Sequence, residues 1–122
     1  MTRILVADES EELRSQLADA LSDRGYEVDT AADGAQVVEM LDSAAEMPAV
    51  IVLDLLLPRV RGVDVIRAMR GIGKARHVPV ILLSGASIHD DELAGLDVDA
   101  VFVKPVAATA LFDAIERACR RC

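Results

Sequence analysis

The stretch "AVIVLDLLLPRVRG", residues 49–62, places one carboxylate, Asp54, at the end of an apolar run and follows it with three leucines and a proline. A run that is apolar at every position, not at alternate ones, reads as a strand covered on both faces. An ionised carboxylate without a partner in such surroundings would take up a proton instead. The strand must therefore deliver Asp54 to a place where other groups meet it.

The rest of the chain supplies those groups. "RILVAD" (3–8) is a second apolar run rich in β-branched residues and ends in acid; "VPVILLS" (78–84) ends in a hydroxyl, and "AVFVK" (100–104) in Lys104. "YEVDTA" (26–31) alternates and reads as an outer strand. Helical spacing fills the gaps. Ser10 is an N-cap with Glu11 and Glu12 in the first turn; Leu13, Leu17, Ala20 and Leu21 share one face, and Gly25 is the stop. Val37, Leu41 and Ala44 recur at helical spacing in "GAQVVEMLDSAA" (34–45), and Gly62 opens a helix to about Arg70. "GIGKARH" (71–77) is a polar loop, a short acidic helix covers roughly Ile88 to Leu96, and a final helix runs from about Val106 to the end. Five strands alternating with five helices predict an α/β fold with a doubly wound parallel sheet. In such sheets the functional groups gather at the carboxyl edge of the strands.

Composition narrows the function. A chain of 122 residues fits a single domain over 1–122, and charged residues interrupt every apolar run well short of a membrane span. The N-terminus turns acidic within ten residues and has no signal-peptide pattern, so the expected setting is cytoplasmic, with no membrane contact. A net charge of −8 with scattered basic residues argues against direct nucleic-acid binding, and Tyr26, Phe102 and Phe112 are too few to form a stacking platform. "CRRC" (119–122) continues a helical stripe with Leu111, Ile115 and Ala118, which favours core packing over a metal or redox site. "GIGK" lacks the phosphate-loop spacing, and His77 and His89 have no partner at ligand spacing.

Asp8 and Glu9, Asp54, Ser84 and Lys104 thus converge from four strand ends. Carboxylates at ~4 Å in an effective dielectric of ~20 repel by about 4 kcal/mol per pair, and Lys104 offers a single positive charge. A hard divalent cation such as Mg²⁺, held by carboxylates, a backbone carbonyl and waters, fits the remainder. The parts suit phosphoryl transfer: Asp54 as nucleophile, the metal and Lys104 against charge on the transferred group, and the Ser84 hydroxyl bonding one of its oxygens. No base is placed to activate water, which favours a covalent acceptor.

Over essentially its whole length the chain resembles the receiver domain of two-component response regulators. The resemblance is carried by "DE" at Asp8 and Glu9, "DLLLPRVRG" with Pro58 and Gly62 after Asp54, "LLSG" with Ser84, and "KP" at Lys104 and Pro105. It implies a flavodoxin-like (βα)5 fold of strand order 2-1-3-4-5 and a cis Lys104–Pro105 bond. It further implies that Asp54 accepts phosphate from a sensor histidine kinase or histidine phosphotransfer protein, with Asp8, Glu9, Asp54 and the Leu56 carbonyl around Mg²⁺. Such a domain is a signalling module and not an enzyme proper. It passes its state to an output protein or domain, in some cases as a homodimer, through the face of the fourth helix, fifth strand and fifth helix. The chain departs from the pattern where receivers commonly carry an aromatic three residues before the lysine; Val101 stands there, and Phe102 is one residue late. The fourth helix is also slightly short, Gly85 stands where alanine is common, and Val106 replaces a frequent phenylalanine. The alternatives are a pseudo-receiver that binds partners without phosphorylation and, less favoured because "DLLLP" offers no second acid, a Mg²⁺-dependent phosphohydrolase. A flavin carrier on the same sheet conflicts with the acidic "DESEE" after the first strand.

Overall fold

The computed structural model describes residues 2–85 and 98–120. Five strands, β1 (Arg3–Ala7), β2 (Glu27–Ala31), β3 (Val50–Asp54), β4 (Val80–Ser84) and β5 (Ala100–Val103), form one parallel sheet in the order β2-β1-β3-β4-β5. Among the described residues the helices are α1 (Glu11–Asp23), α2 (Gly34–Ser43), α3 (Gly62–Arg70) and a C-terminal helix (Ala108–Arg120). The predicted acidic helix at 88–96 lies outside the described residues.

Alternate strand residues feed two cores, because successive side chains of a strand point to opposite faces. Leu5, Ala7, Ile51, Leu53, Val80 and Leu82 pack with Val37 and Leu41 of α2 and Val65, Ile66 and Met69 of α3. On the other face Ile4, Val6, Val50, Val52, Ile81 and Leu83 meet Leu21 of α1 and Leu111, Ala114, Ile115 and Ala118 of the C-terminal helix. Every residue of β3 and β4 is buried, which is why those runs carry no polar alternation. Truncating one such residue, as in Leu53→Ala, removes about 2–5 kcal/mol.

Local signals set the boundaries. Ser10 Oγ accepts the Leu13 N–H at 3.2 Å, and Asp33 Oδ1 accepts the Gln36 N–H at 2.8 Å while Gln36 Oε1 takes the Ala32 N–H at 2.9 Å. These bonds satisfy donors that a helix start leaves unpaired. Gly25 stops α1 with φ of 93°, a left-handed conformation that residues with a side chain rarely adopt. The polar loop after α3 contains a 3-10 turn, Gly73–Ala75, whose Ala75 is buried. Lys74 donates from Nζ to the carbonyls of Asp42 and Ala44 at 2.7 and 2.6 Å, closing the end of α2. The final helix starts at Ala108, two residues later than its spacing predicts, because Val106 packs against the core from the segment before it. In that helix Leu111, Ile115 and Ala118 are buried and Cys119 is partly buried against the same cluster, as the stripe predicts.

Candidate functional site

Two buried carboxylates share one ammonium at the carboxyl edge of the sheet. Asp8 follows β1 and is 1% exposed; its N–H donates to the Ala31 carbonyl at 3.2 Å, which carries the β1–β2 ladder one residue further. Its Oδ1 accepts the Ser10 N–H at 2.9 Å and its Oδ2 accepts Lys104 Nζ at 2.7 Å. Asp54 ends β3 and is 5% exposed; Oδ1 accepts the Leu56 N–H at 3.1 Å, and Oδ2 lies 3.5 Å from Lys104 Nζ. Lys104 is held at this edge by its own backbone, whose N–H donates to the Ser84 carbonyl at 2.6 Å. Ser84 is buried at the end of β4, and the Lys104–Pro105 bond is cis.

The electrostatics follow from burial. Burial pushes the Asp54 carboxyl above the usual 3.8, and the charge of Asp8 adds to this, while the Leu56 N–H and Lys104 act the other way. Burial disfavours the Lys104 ammonium, but its bond to Asp8 and the charges of Asp54 and Asp8 outweigh that and leave its pKa above 10.5. One cation facing two anions leaves the pocket negative.

Of the residues expected at the site, Asp8, Asp54 and Lys104 are in contact and Ser84 ends the neighbouring strand. Glu9 is different: its side chain is exposed, and among the described residues no group of three or more acidic, histidine or cysteine side chains forms a ready-made metal cage. Two carboxylates, a carbonyl and waters nevertheless suit Mg²⁺, which keeps much of its hydration and needs only one or two carboxylates. No described residue donates to the Leu56 carbonyl. The donor set fits the ion.

The loop after β3 is clamped from both sides. The Leu55 N–H donates to the Leu83 carbonyl at 2.8 Å, and the Gly62 N–H to the Leu55 carbonyl at 2.9 Å. A Cβ on Gly62 would come within 2.8 Å of the Asp54 carbonyl oxygen and the Leu55 Cα, so only glycine lets α3 start here. On the far side Gly34 donates to the Pro58 carbonyl at 3.2 Å, and a Cβ there would sit 2.0 Å from the Val60 carbonyl oxygen. Between them Arg59 adopts φ of 68°, in the left-handed region that disfavours a side chain.

Two contributors escaped the reading of the sequence. Gly34 looked like the first residue of a helix, and only the close approach of a distant loop shows what its missing side chain permits. Arg14 donates from Nη1 to the carbonyls of Asp8 at 2.7 Å and Glu9 at 3.2 Å. Its one signal in the sequence is a positive charge in an acidic helix start. Conversely His77 is exposed, as expected of a residue without a role, while His89 and Cys122 lie outside the described residues.

Val101 is 37% exposed on β5, whereas Phe102 turns to the opposite face and packs on the core beside the C-terminal helix. The aromatic one residue late thus occupies a different side of the sheet, as strand alternation predicts. No helix among the described residues is long and apolar enough to cross a membrane.

Residues 4–116 match a family model described as the response regulator receiver domain. Response regulator MprA of Mycobacterium tuberculosis is 35% identical over 121 residues, which cover 98% of this chain and 51% of that protein. The MprA protein of Mycobacterium avium is 34% identical over the same length. The chain spans about half the length of the curated relatives it matches. Among solved structures, the chemotaxis protein CheY4 of Vibrio cholerae is 27% identical with a TM-score of 0.87, covering 97% of this chain and 98% of that one. The receiver domain of the sensor histidine kinase PA1611 from Pseudomonas aeruginosa, solved with a magnesium ion in its active site cleft, is 23% identical with a TM-score of 0.87 and covers 98% of each chain. At that identity it shows the shared fold.

Proposed function

The chain belongs to the response regulator receiver domain family of two-component signalling, and on that premise we propose that Asp54 accepts a phosphoryl group from a sensor histidine kinase or histidine phosphotransfer protein. The observation that carries the reading is the shared ammonium: Lys104, 96 residues from Asp8 and 50 from Asp54, bridges both buried carboxylates. A fold does not bury this excess of negative charge for stability alone.

The side chains have separable tasks. The Leu56 N–H holds Asp54 Oδ1 and so sets the carboxylate's rotation. An Asp54 oxygen forms a bond to phosphorus in line as the bond from phosphorus to the donor imidazole nitrogen breaks, its electron pair leaving with the imidazole. The Lys104 ammonium follows the phosphoryl oxygens and the Ser84 hydroxyl donates to one of them. Asp8, Asp54 and the Leu56 carbonyl would hold Mg²⁺, with Glu9 at the rim. When bound, that ion neutralises charge on the transferred group. The described hydrogen-bond partners of Asp54 are the Leu56 N–H and Lys104, and neither is a base for activating water. This favours an acceptor over a hydrolase.

The module acts through proteins: a phosphodonor on one side and an output protein or domain on the other, in the cytoplasm, with a homodimer as one possible active form. A net charge of −8 supports protein contacts over direct contact of these residues with nucleic acid. Incubation with acetyl phosphate and Mg²⁺, followed by intact mass measurement, should show one phosphoryl adduct that Asp54→Asn abolishes. Repeated turnover of simple phosphate esters would overturn the assignment in favour of a phosphohydrolase. No adduct from acetyl phosphate or a phosphorylated phosphotransfer protein would replace it with an unphosphorylated interaction module.

A further inference from the structure

Arg14 stands where helix electrostatics do not want it. It lies in the first turns of α1 behind Glu11 and Glu12, whose charges suit the positive end of the helix dipole, whereas its own is of the wrong sign. Helical side chains lean back toward the N-terminus, and this lean carries the half-buried guanidinium onto the segment that joins β1 to α1. There Nη1 donates to both the Asp8 and the Glu9 carbonyl, at 2.7 and 3.2 Å. It bonds the backbone of the acidic pair and leaves the carboxylates to other partners: Asp8 Oδ1 to the Ser10 N–H and Asp8 Oδ2 to Lys104.

We propose that Arg14 is a positioning residue for the metal: by tethering two successive carbonyls it fixes the direction in which Asp8 and Glu9 present their carboxylates. This rests on the Mg²⁺ site assigned above. The tether acts through backbone, so it sets the orientation of both acids at once. Glu9 gains most, because its exposed side chain has no other described bond to orient it.

Two effects of Arg14 on Mg²⁺ affinity have opposite signs, and this makes the inference testable. A positive charge near a cation site repels the ion, so if charge were all that Arg14 contributed, removing it would tighten binding. If the tether dominates, removal loosens binding. Calorimetric titration with Mg²⁺ and no phosphodonor, at neutral pH, should find Arg14→Met about tenfold weaker than wild type, in line with other residues that orient metal ligands. Arg14→Lys, which keeps the charge and one donor group, should recover part of that loss and remain a few-fold weaker than wild type. Arg24→Met, at the far end of the same helix, where Arg24 stacks 4.2 Å over the Phe112 ring, should bind as wild type does.

If Arg14→Met binds Mg²⁺ as tightly as wild type or more tightly, the inference is overturned while the site assignment stands. If wild type itself binds no Mg²⁺, the assignment fails first and the inference with it. Should Arg14→Met fail to fold, Arg14→Lys decides the matter: binding a few-fold weaker than wild type, with the backbone amide resonances of Glu9 and Ser10 displaced in the metal-free protein, supports the tether. Wild-type affinity and unmoved resonances in that variant refute it.

Discussion

Replacing Gly34 with alanine adds one methyl group to the first residue of α2. The new Cβ would stand 2.0 Å from the Val60 carbonyl oxygen and 2.8 Å from the Val60 carbonyl carbon and Cβ, where ordinary contact begins at 3.4 Å. More than an ångström of movement is needed, against backbone that has no rotamer to change. Either α2 or the loop must yield. The helix is anchored by Val37 and Leu41, both buried in the core, and by the Asp33 cap. The loop already strains at Arg59, so it should move and take Leu56, with its carbonyl, along. Overpacking of this kind costs about 1–3 kcal/mol of stability, and misplacing a reacting group by about 1 Å can cost about a hundredfold in rate. Adduct formation from acetyl phosphate at saturating Mg²⁺ should therefore slow by about ten- to a hundredfold, with the fold retained in denaturant titrations. If stability falls and the phosphorylation rate stays at the wild-type value, α2 has moved instead and the clamp on the loop is refuted.

Three further outcomes are expected. Burial raises the Asp54 pKa, so the native state holds that proton more tightly than the unfolded chain, and ionisation of Asp54 at neutral pH costs stability that is regained as pH falls through the raised value toward 3.8. Asp54→Asn should accordingly unfold at a higher temperature than wild type near neutrality, with the gap closing on acidification; a gap that widens would contradict the sign. Lys104→Met leaves Asp8 and Asp54 facing without their common cation, and because the Lys104 side chain is 27% exposed the loss is expected at about 1–2 kcal/mol. Added Mg²⁺ should raise the unfolding temperature of that variant more than that of wild type, and equal shifts would count against a shared negative pocket. Leu56 is 54% exposed beside Asp54 and has no hydrogen-bonding group with which to orient an attacking water. The phosphoryl group should persist well beyond seconds in the isolated protein and be lost faster in Leu56→Gln, as followed by mass spectrometry over time.

The site was legible wherever an apolar strand stops abruptly at a polar residue. Asp8, Asp54, Ser84 and Lys104 all carry that signal, and the parallel topology places them together without any knowledge of distances. The parallel sheet follows from the same runs, whereas its strand order was implied only by the family resemblance, and the split of the core into two faces shows only in the structure. Side-chain division of labour was not legible. Adjacent acids at a strand end look equivalent in a sequence, yet Asp8 is buried against Lys104 and Glu9 faces solvent, because neighbours diverge as the chain turns into α1. Nor could spacing show that Lys104 sits nearer Asp8 than Asp54. Gly34 and Arg14 act on backbone atoms of other segments, and backbone has no letter in the sequence.

Lys104 follows β5, an edge strand whose one neighbour in the sheet is β4. Chain added last to the sheet thus completes a site begun by the first strand. Edge strands open at lower free energy than central ones, and each opening of β5 would withdraw the ammonium and leave the two acids facing one another. Hydrogen exchange along β5 and the charge balance around Asp54 are therefore one equilibrium seen from two ends. A protein that grips β5 would steady the charge around Asp54 without touching it.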